Sequence, residues 1–223
     1  MDEPDERASP LRPSKTPSWV LLGFVLGALV VWMMPRENSR SSAPIKAPVD
    51  SLLIPHNIIR NLVATIVSLD GDPVAMRLRP VAHVAGLPAV DGEAGSLTLS
   101  PQNYARYTPY VDALNKISGK QIAAVYLHYY PLFQAAYEEL GYKGHYFNDR
   151  LVKIIDHLRA TPKVEAPIKL VRPKVLYEFE DTALEERSWG QKILIRMGPE
   201  NAAVVKAKLG EIRAAVIASE SKG

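Results

Sequence analysis

Cysteine is absent from the 223 residues. No disulfide framework, cysteine-based zinc site or thiol nucleophile can therefore be built. The absence does not fix a compartment. From Val49 onward about 175 residues remain, enough to bury a core without covalent or metal staples. Histidine is scarce too: His56, His83, His128, His145 and His157 show no His-x-x-x-His spacing, so no metal site is expected. The sequence has no Gly-x-Ser-x-Gly elbow, phosphate loop or dinucleotide fingerprint. Nothing in it supports nucleophilic catalysis, and no cofactor is expected. An excess of one charge is also missing. The formal net charge is +3, from 27 Lys/Arg against 24 Asp/Glu. Basic and acidic residues alternate along the chain, whereas nucleic-acid binders concentrate positive charge on one face. No nucleic-acid partner is expected.

The sequence does hold one long uncharged run. Between Thr16 and Pro35 no residue is charged, and 20 such residues make a helix of roughly 30 Å, the hydrocarbon thickness of a bilayer. Trp19 and Trp32 lie near its ends, where indoles prefer the membrane interface. The run exceeds a signal-peptide core, and no small-x-small site follows directly; Ser41-Ser42-Ala43 lies well beyond it, before Pro44. An uncleaved transmembrane helix over 18–34 is predicted, with membrane lipid as its partner. Gly23 and Gly27 place two small residues on one face, a spacing that can pack two spans into a homodimer. Three Lys/Arg precede the span (Arg7, Arg12, Lys15) and three follow it (Arg36, Arg40, Lys46), so charge does not set direction. A short N-terminal tail before one large domain is a signal-anchor layout, and it places that domain across the membrane.

The chain divides into a tail (1–17), the span (18–34), a Ser/Pro-rich flexible linker (35–48), a globular domain (49–218) and a short tail (219–223). In the domain, Asp50 or Ser51 can cap a helix reaching Leu69, with Ile58, Ile59, Leu62 and Ile66 on its stripe. Asp70-Gly71-Asp72-Pro73 reads as a turn, and extended pieces at 77–84 and 96–99 can pair as a hairpin. Ser100-Pro101 opens a helix on which Tyr104, Tyr107, Val111 and Leu114 share a face. Ser118 starts a helix that reaches Leu140, kinks at Pro131 and stops at Gly141. Phe147, Leu151, Ile154, Ile155 and Leu158 mark another. Stretches 168–171 and 175–179 lean to strand, with Arg172-Pro173 between them suiting an edge. A helix from Asp181 or Thr182 to Met197 and a last helix to about Ala218 complete an α+β, mostly helical fold: an N-terminal transmembrane helix plus one helical globular domain with a small antiparallel sheet.

Several stretches together resemble one family. They are Arg60-Asn-Leu-Val-Ala-Thr65, Leu99-Ser-Pro-Gln-Asn-Tyr-Ala-Arg-Tyr107, Tyr130-Pro-Leu-Phe-Gln-Ala-Ala-Tyr-Glu-Glu-Leu-Gly-Tyr142 and Tyr146-Phe-Asn-Asp-Arg150. Leu170-Val-Arg-Pro-Lys-Val-Leu-Tyr-Glu-Phe179, Gly190-Gln-Lys192 and Arg196-Met-Gly-Pro-Glu-Asn201 complete the set. Over about 60–215 the chain resembles the bacterial domain-of-unknown-function family numbered 3014, whose members carry one N-terminal span. It departs at Val67-Ser68-Leu69, where an Asp-Asn-Leu-like step is expected. The resemblance implies a single-pass protein of the bacterial inner membrane with a periplasmic C-terminal domain, and it implies no activity.

Nine of the ten tyrosines fall between Tyr104 and Tyr146. A large apolar ring with a hydroxyl tip suits sugar or peptide recognition as well as a core boundary. Asn103 and Arg106 are neighbours on a helix face, next to Tyr107. Tyr146, Asn148, Asp149 and Arg150 stand at a helix start. Arg172, Lys174 and Glu178 alternate along extended chain. If these faces converge they make a polar, Tyr-lined groove for an envelope protein or a cell-wall component; otherwise they are caps and ion pairs. The expected function is a non-catalytic interaction or scaffolding module. The alternative is an envelope hydrolase working through Glu138, Glu139 and Asp149, which requires those carboxylates to meet in one pocket.

Overall fold

The computed structural model describes residues 58–72, 88–93, 95–173 and 176–220. Residues 18–34, with Gly23 and Gly27, lie outside the described residues, as does the expected strand at 77–84. Among the described residues no helix is long and apolar enough to cross a membrane.

Helix α1 (Ile58–Val67) presents Leu62, Val63 and Ile66 to the interior. It packs against α5 (Tyr130–Glu139) and α6 (Phe147–Arg159). The longest helix, α9 (Pro199–Glu220), runs against α3 (Thr108–Asn115), α4 (Gly119–His128), α6 and α8 (Trp189–Arg196). Its inward stripe buries Val205, Leu209, Ile212 and Val216, while Ala202, one turn earlier on the same spacing, is half-buried. Phe133, Phe147, Ile154 and Ile155 fill the space between these helices. Each such side chain contributes about 1.5–3 kcal/mol by leaving water.

The short strands form a second, smaller layer. β1 (Val90–Asp91) pairs antiparallel with β2 (Thr98–Leu99), and β3 (Leu170–Val171) pairs antiparallel with β4 (Glu178–Phe179). Instead of one sheet there are two ladders. A bridge between Thr98 and Lys169 joins them, with Leu99 N–H bonding Ile168 O at 2.8 Å and Leu170 N–H bonding Leu97 O at 2.8 Å. Leu99, Ile168, Leu170, Phe179 and Ile195 make the core beneath them.

Three expected helices are each divided. The one opened by Ser100 becomes α2 (Pro101–Ala105) and α3, with Pro109 in the first turn of α3. The helix expected over 118–140 breaks at Tyr129, where Pro131 restarts it as α5 instead of kinking it. Proline removes an N–H and its ring crowds the preceding turn, so a new first turn satisfies the chain better than a bent helix. The stretch from Thr182 splits into α7 (Thr182–Glu185) and α8, because Ser188 caps α8 through the Gln191 N–H at 3.4 Å. Gly190 belongs there for packing: a Cβ would lie 2.7 Å from the Leu69 carbonyl oxygen and 2.5 Å from Leu158.

Candidate functional site

The candidate residues gather in two places, not one groove. The first lies where α2 and α3 meet the strand ladders and the last turn of α8. Asn103 is buried and bonded on every side: Nδ2 donates to Arg196 O at 3.0 Å, while Oδ1 accepts from Ala89 N–H at 3.2 Å and from Arg106 Nη1 at 2.9 Å. It stitches α2, the approach to β1 and the end of α8 together. Tyr107 is buried at the α2–α3 break. Burial raises its hydroxyl pKa, opposed by the nearby Arg106 and Arg196 guanidinium groups and by a hydrogen bond from the Asn103 side chain. Arg172 is exposed, with its guanidinium 5.4 Å from the centre of the Tyr177 ring. Glu178 is half-buried in β4. Lys174 lies outside the described residues.

Two residues that the sequence reading left out of the candidate set complete this place. Arg196 lays its guanidinium 4.8 Å from the centre of the Phe179 ring and donates from Nη2 to Tyr177 O at 3.0 Å. Burial pulls its pKa down from the usual guanidinium value, opposed first by Glu185 and then by Tyr107 and Glu178. Arg196 and Tyr177, with Asn103, Tyr107, Leu170 and Leu176, line a small cleft of about 30 Å³. The clue available in the sequence was an arginine ending the apolar run Ile193-Leu194-Ile195.

The second place is the turn between α5 and α6. Gly141 (φ +102°) and Gly144 (φ +78°) let the chain reverse between the helices. Gln134 holds that turn: its Oε1 accepts the Phe147 N–H at 2.8 Å and its Nε2 donates to His145 O at 2.9 Å. Tyr137 is buried and stacks on Tyr142 with ring centres 4.5 Å apart. Burial raises the Tyr137 hydroxyl pKa, and the Arg150 charge opposes it. Asn148 accepts a hydrogen bond from the Tyr126 hydroxyl. Arg150 grips Asp70 and the Val67 carbonyl. Tyr146, by contrast, is 69% exposed. With Tyr137, His145, Asp149, Arg150 and Lys153 it lines an open cleft of about 180 Å³.

The two clefts share no lining residue. Of the three carboxylates weighed for hydrolysis, Asp149 lines the second cleft and the other two do not. Glu138 and Glu139 are exposed on α5, and Glu138 accepts from Gln134 Nε2 at 2.8 Å. Among the described residues no group of three His, Asp or Glu is placed to hold a metal ion.

Comparison with known families is decisive at one level. The model of the family described as "Protein of unknown function (DUF3014)" matches residues 58–213. The chain belongs to this family. The match covers both clefts and every described element apart from the last turns of α9. No curated protein and no solved structure matches the chain. For this DUF3014 domain, any functional assignment therefore rests on its own residues.

Proposed function

We propose that this DUF3014 protein is a membrane-anchored interaction module of the bacterial envelope, working without catalysis and docking a partner at the α5–α6 turn. The observation that carries the reading is the contrast around that turn. Tyr126, Gln134, Asn148 and Arg150 are committed to holding the backbone and neighbouring helices. Tyr146, at 69% exposure, lines an open cleft, and Tyr142, 39% exposed, offers solvent the parts of its ring not stacked on Tyr137. A rigid frame presenting amphipathic rings is what recognition of a peptide or a glycan requires, because few rotamers are lost on binding. The reading thus narrows from the broad face expected from the sequence to residues 142–153. Asn103 serves the fold.

The uncharged run between Thr16 and Pro35 supports the anchor, and the linker at 35–48 gives the domain reach from the bilayer. In this reading the domain is periplasmic and the span carries Gly23 and Gly27 as a face for pairing two chains. An alkaline phosphatase fusion at the C-terminus should be active; an inactive fusion with full expression would reverse the orientation. A photo-crosslinking residue at position 146 of the full chain, in growing cells, should capture one reproducible partner. Labelling that does not differ from a probe at exposed Asp112 on α3 would remove the docking reading.

A further inference from the structure

Among the described residues no carboxylate pairs with the Arg196 guanidinium in the cleft at the end of α8. Among the described residues the Arg196 guanidinium makes one hydrogen bond, to Tyr177 O at 3.0 Å, and is within ion-pair distance of no carboxylate. A guanidinium carries five N–H donors in a planar fork, so donors remain for a partner in the cleft. The acids whose charge it feels are Glu185 and Glu178. Glu185 is already engaged, accepting from Lys192 Nζ at 2.7 Å and from Phe179 N–H at 2.8 Å. Outside the described residues, Asp and Glu occur only in 1–57 (Asp2, Glu3, Asp5, Glu6, Glu37 and Asp50).

The surroundings define what would complete the site. Phe179 covers one face of the guanidinium. The Tyr107 hydroxyl lies in the combined field of Arg196 and Arg106 and is raised in pKa by burial, so it stays protonated and able to donate. Leu170 and Leu176 supply apolar wall, and Leu176 is 41% exposed at the mouth. The cleft, about 30 Å³, admits a small head group and no more. A planar fork matches a carboxylate's two oxygens, and a guanidinium stacked on a ring is already oriented for it.

We propose that this cleft binds a carboxylate, with Arg196 and Tyr107 donating to its oxygens and an apolar group behind it resting on Leu176. The assignment is independent of docking at the α5–α6 turn. It is testable on the full chain in detergent micelles, by thermal unfolding with sodium acetate, N-acetyl-L-leucine or N-acetyl-L-leucinamide at ionic strength matched with sodium chloride. N-acetyl-L-leucine should raise the midpoint saturably, acetate should do so more weakly, and the amide should match chloride alone. Tyr107→Phe keeps the core ring and should weaken binding about tenfold, the worth of a hydrogen bond to a charged group. Arg196→Gln should abolish the response; should that variant not fold, Tyr107→Phe still decides. Equal stabilisation by acid and amide would overturn the site, as would an unchanged response in Tyr107→Phe. Acetate as effective as N-acetyl-L-leucine would retain the carboxylate and overturn the role of Leu176.

Discussion

Arg150 closes a two-pronged ion pair on Asp70, with Nη1 at 2.8 Å from Oδ2 and Nη2 at 2.7 Å from Oδ1. Nη2 also donates to the Val67 carbonyl at 2.7 Å, so one side chain caps the end of α1 from the first turn of α6. Both side chains are a quarter to a third exposed, at 25% and 32%, which moderates the pair's worth. Arg150→Ala removes the pair and the cap together and should destabilise the domain by about 1–3 kcal/mol. Asp70→Asn should cost less, because the bond to Val67 survives. Urea unfolding of the two single variants and the double variant measures the coupling.

Asn103 is the residue whose role the structure changes most. One hydrogen bond donated by Nδ2 and two accepted by Oδ1, on a side chain 1% exposed, make it a stitch between elements. Asn103→Ala leaves the Ala89 N–H and the Arg106 guanidinium short of a partner and should cost about 2–4 kcal/mol. Arg172→Ala, at an exposed cation–π contact, should cost about 0.5–1 kcal/mol. Comparable losses in the two variants would contradict this division.

Gly198 ends α8 at φ +89°, and a Cβ there would lie 2.6 Å from the Tyr104 ring. Gly198→Ala combines backbone strain with overpacking and should destabilise by about 2–4 kcal/mol. In a Tyr104→Ala background, where the overpacking is gone, adding Gly198→Ala should cost only the strain part. No cost in that background would mean that the left-handed conformation imposes no strain.

Glu211 accepts the Gly119 N–H at 2.8 Å and pairs with Lys208 at 3.0 Å. The Gly119 bond first, then Lys208, holds its carboxyl below the ordinary value of 4.5. A lowered folded-state pKa contributes stability that is complete above the unfolded value and lost as pH falls through the folded one. The stability difference between wild type and Glu211→Gln should therefore be constant at neutral pH and shrink below about 4.5. Its half-exposed position, at 48%, makes the difference sensitive to salt as well. A difference unchanged down to pH 3 would contradict the linkage.

Helix starts were legible because caps are local chemistry. Ser100 and Ser118 bond their own first turns at 3.3 and 3.2 Å, as the sequence indicates. Core stripes were legible because burial follows the 3.6-residue period, and α6 buries the five residues expected of it. The three helix breaks were less legible. A continuous apolar stripe across Pro109 or Pro131 looks the same whether the chain bends or restarts, and tertiary packing decides. The candidate site was legible in residue type but not in arrangement. Tyr146 and Asn103 have similar polar and aromatic neighbours in sequence, yet long-range contacts expose one and bury the other. Arg196 was missed because its partners Phe179 and Tyr177 come from β4 and the residue before it, distant in sequence.

The most direct test of the interaction module is partner capture from position 146 in growing cells, repeated in chains carrying Tyr142→Ala, Asn103→Ala or a deletion of residues 18–34. The account predicts a single captured species, lost with Tyr142→Ala at unchanged protein level, lost with the deletion, and reduced with Asn103→Ala only as far as the folded protein is reduced. Capture that survives Tyr142→Ala and the deletion equally would contradict it.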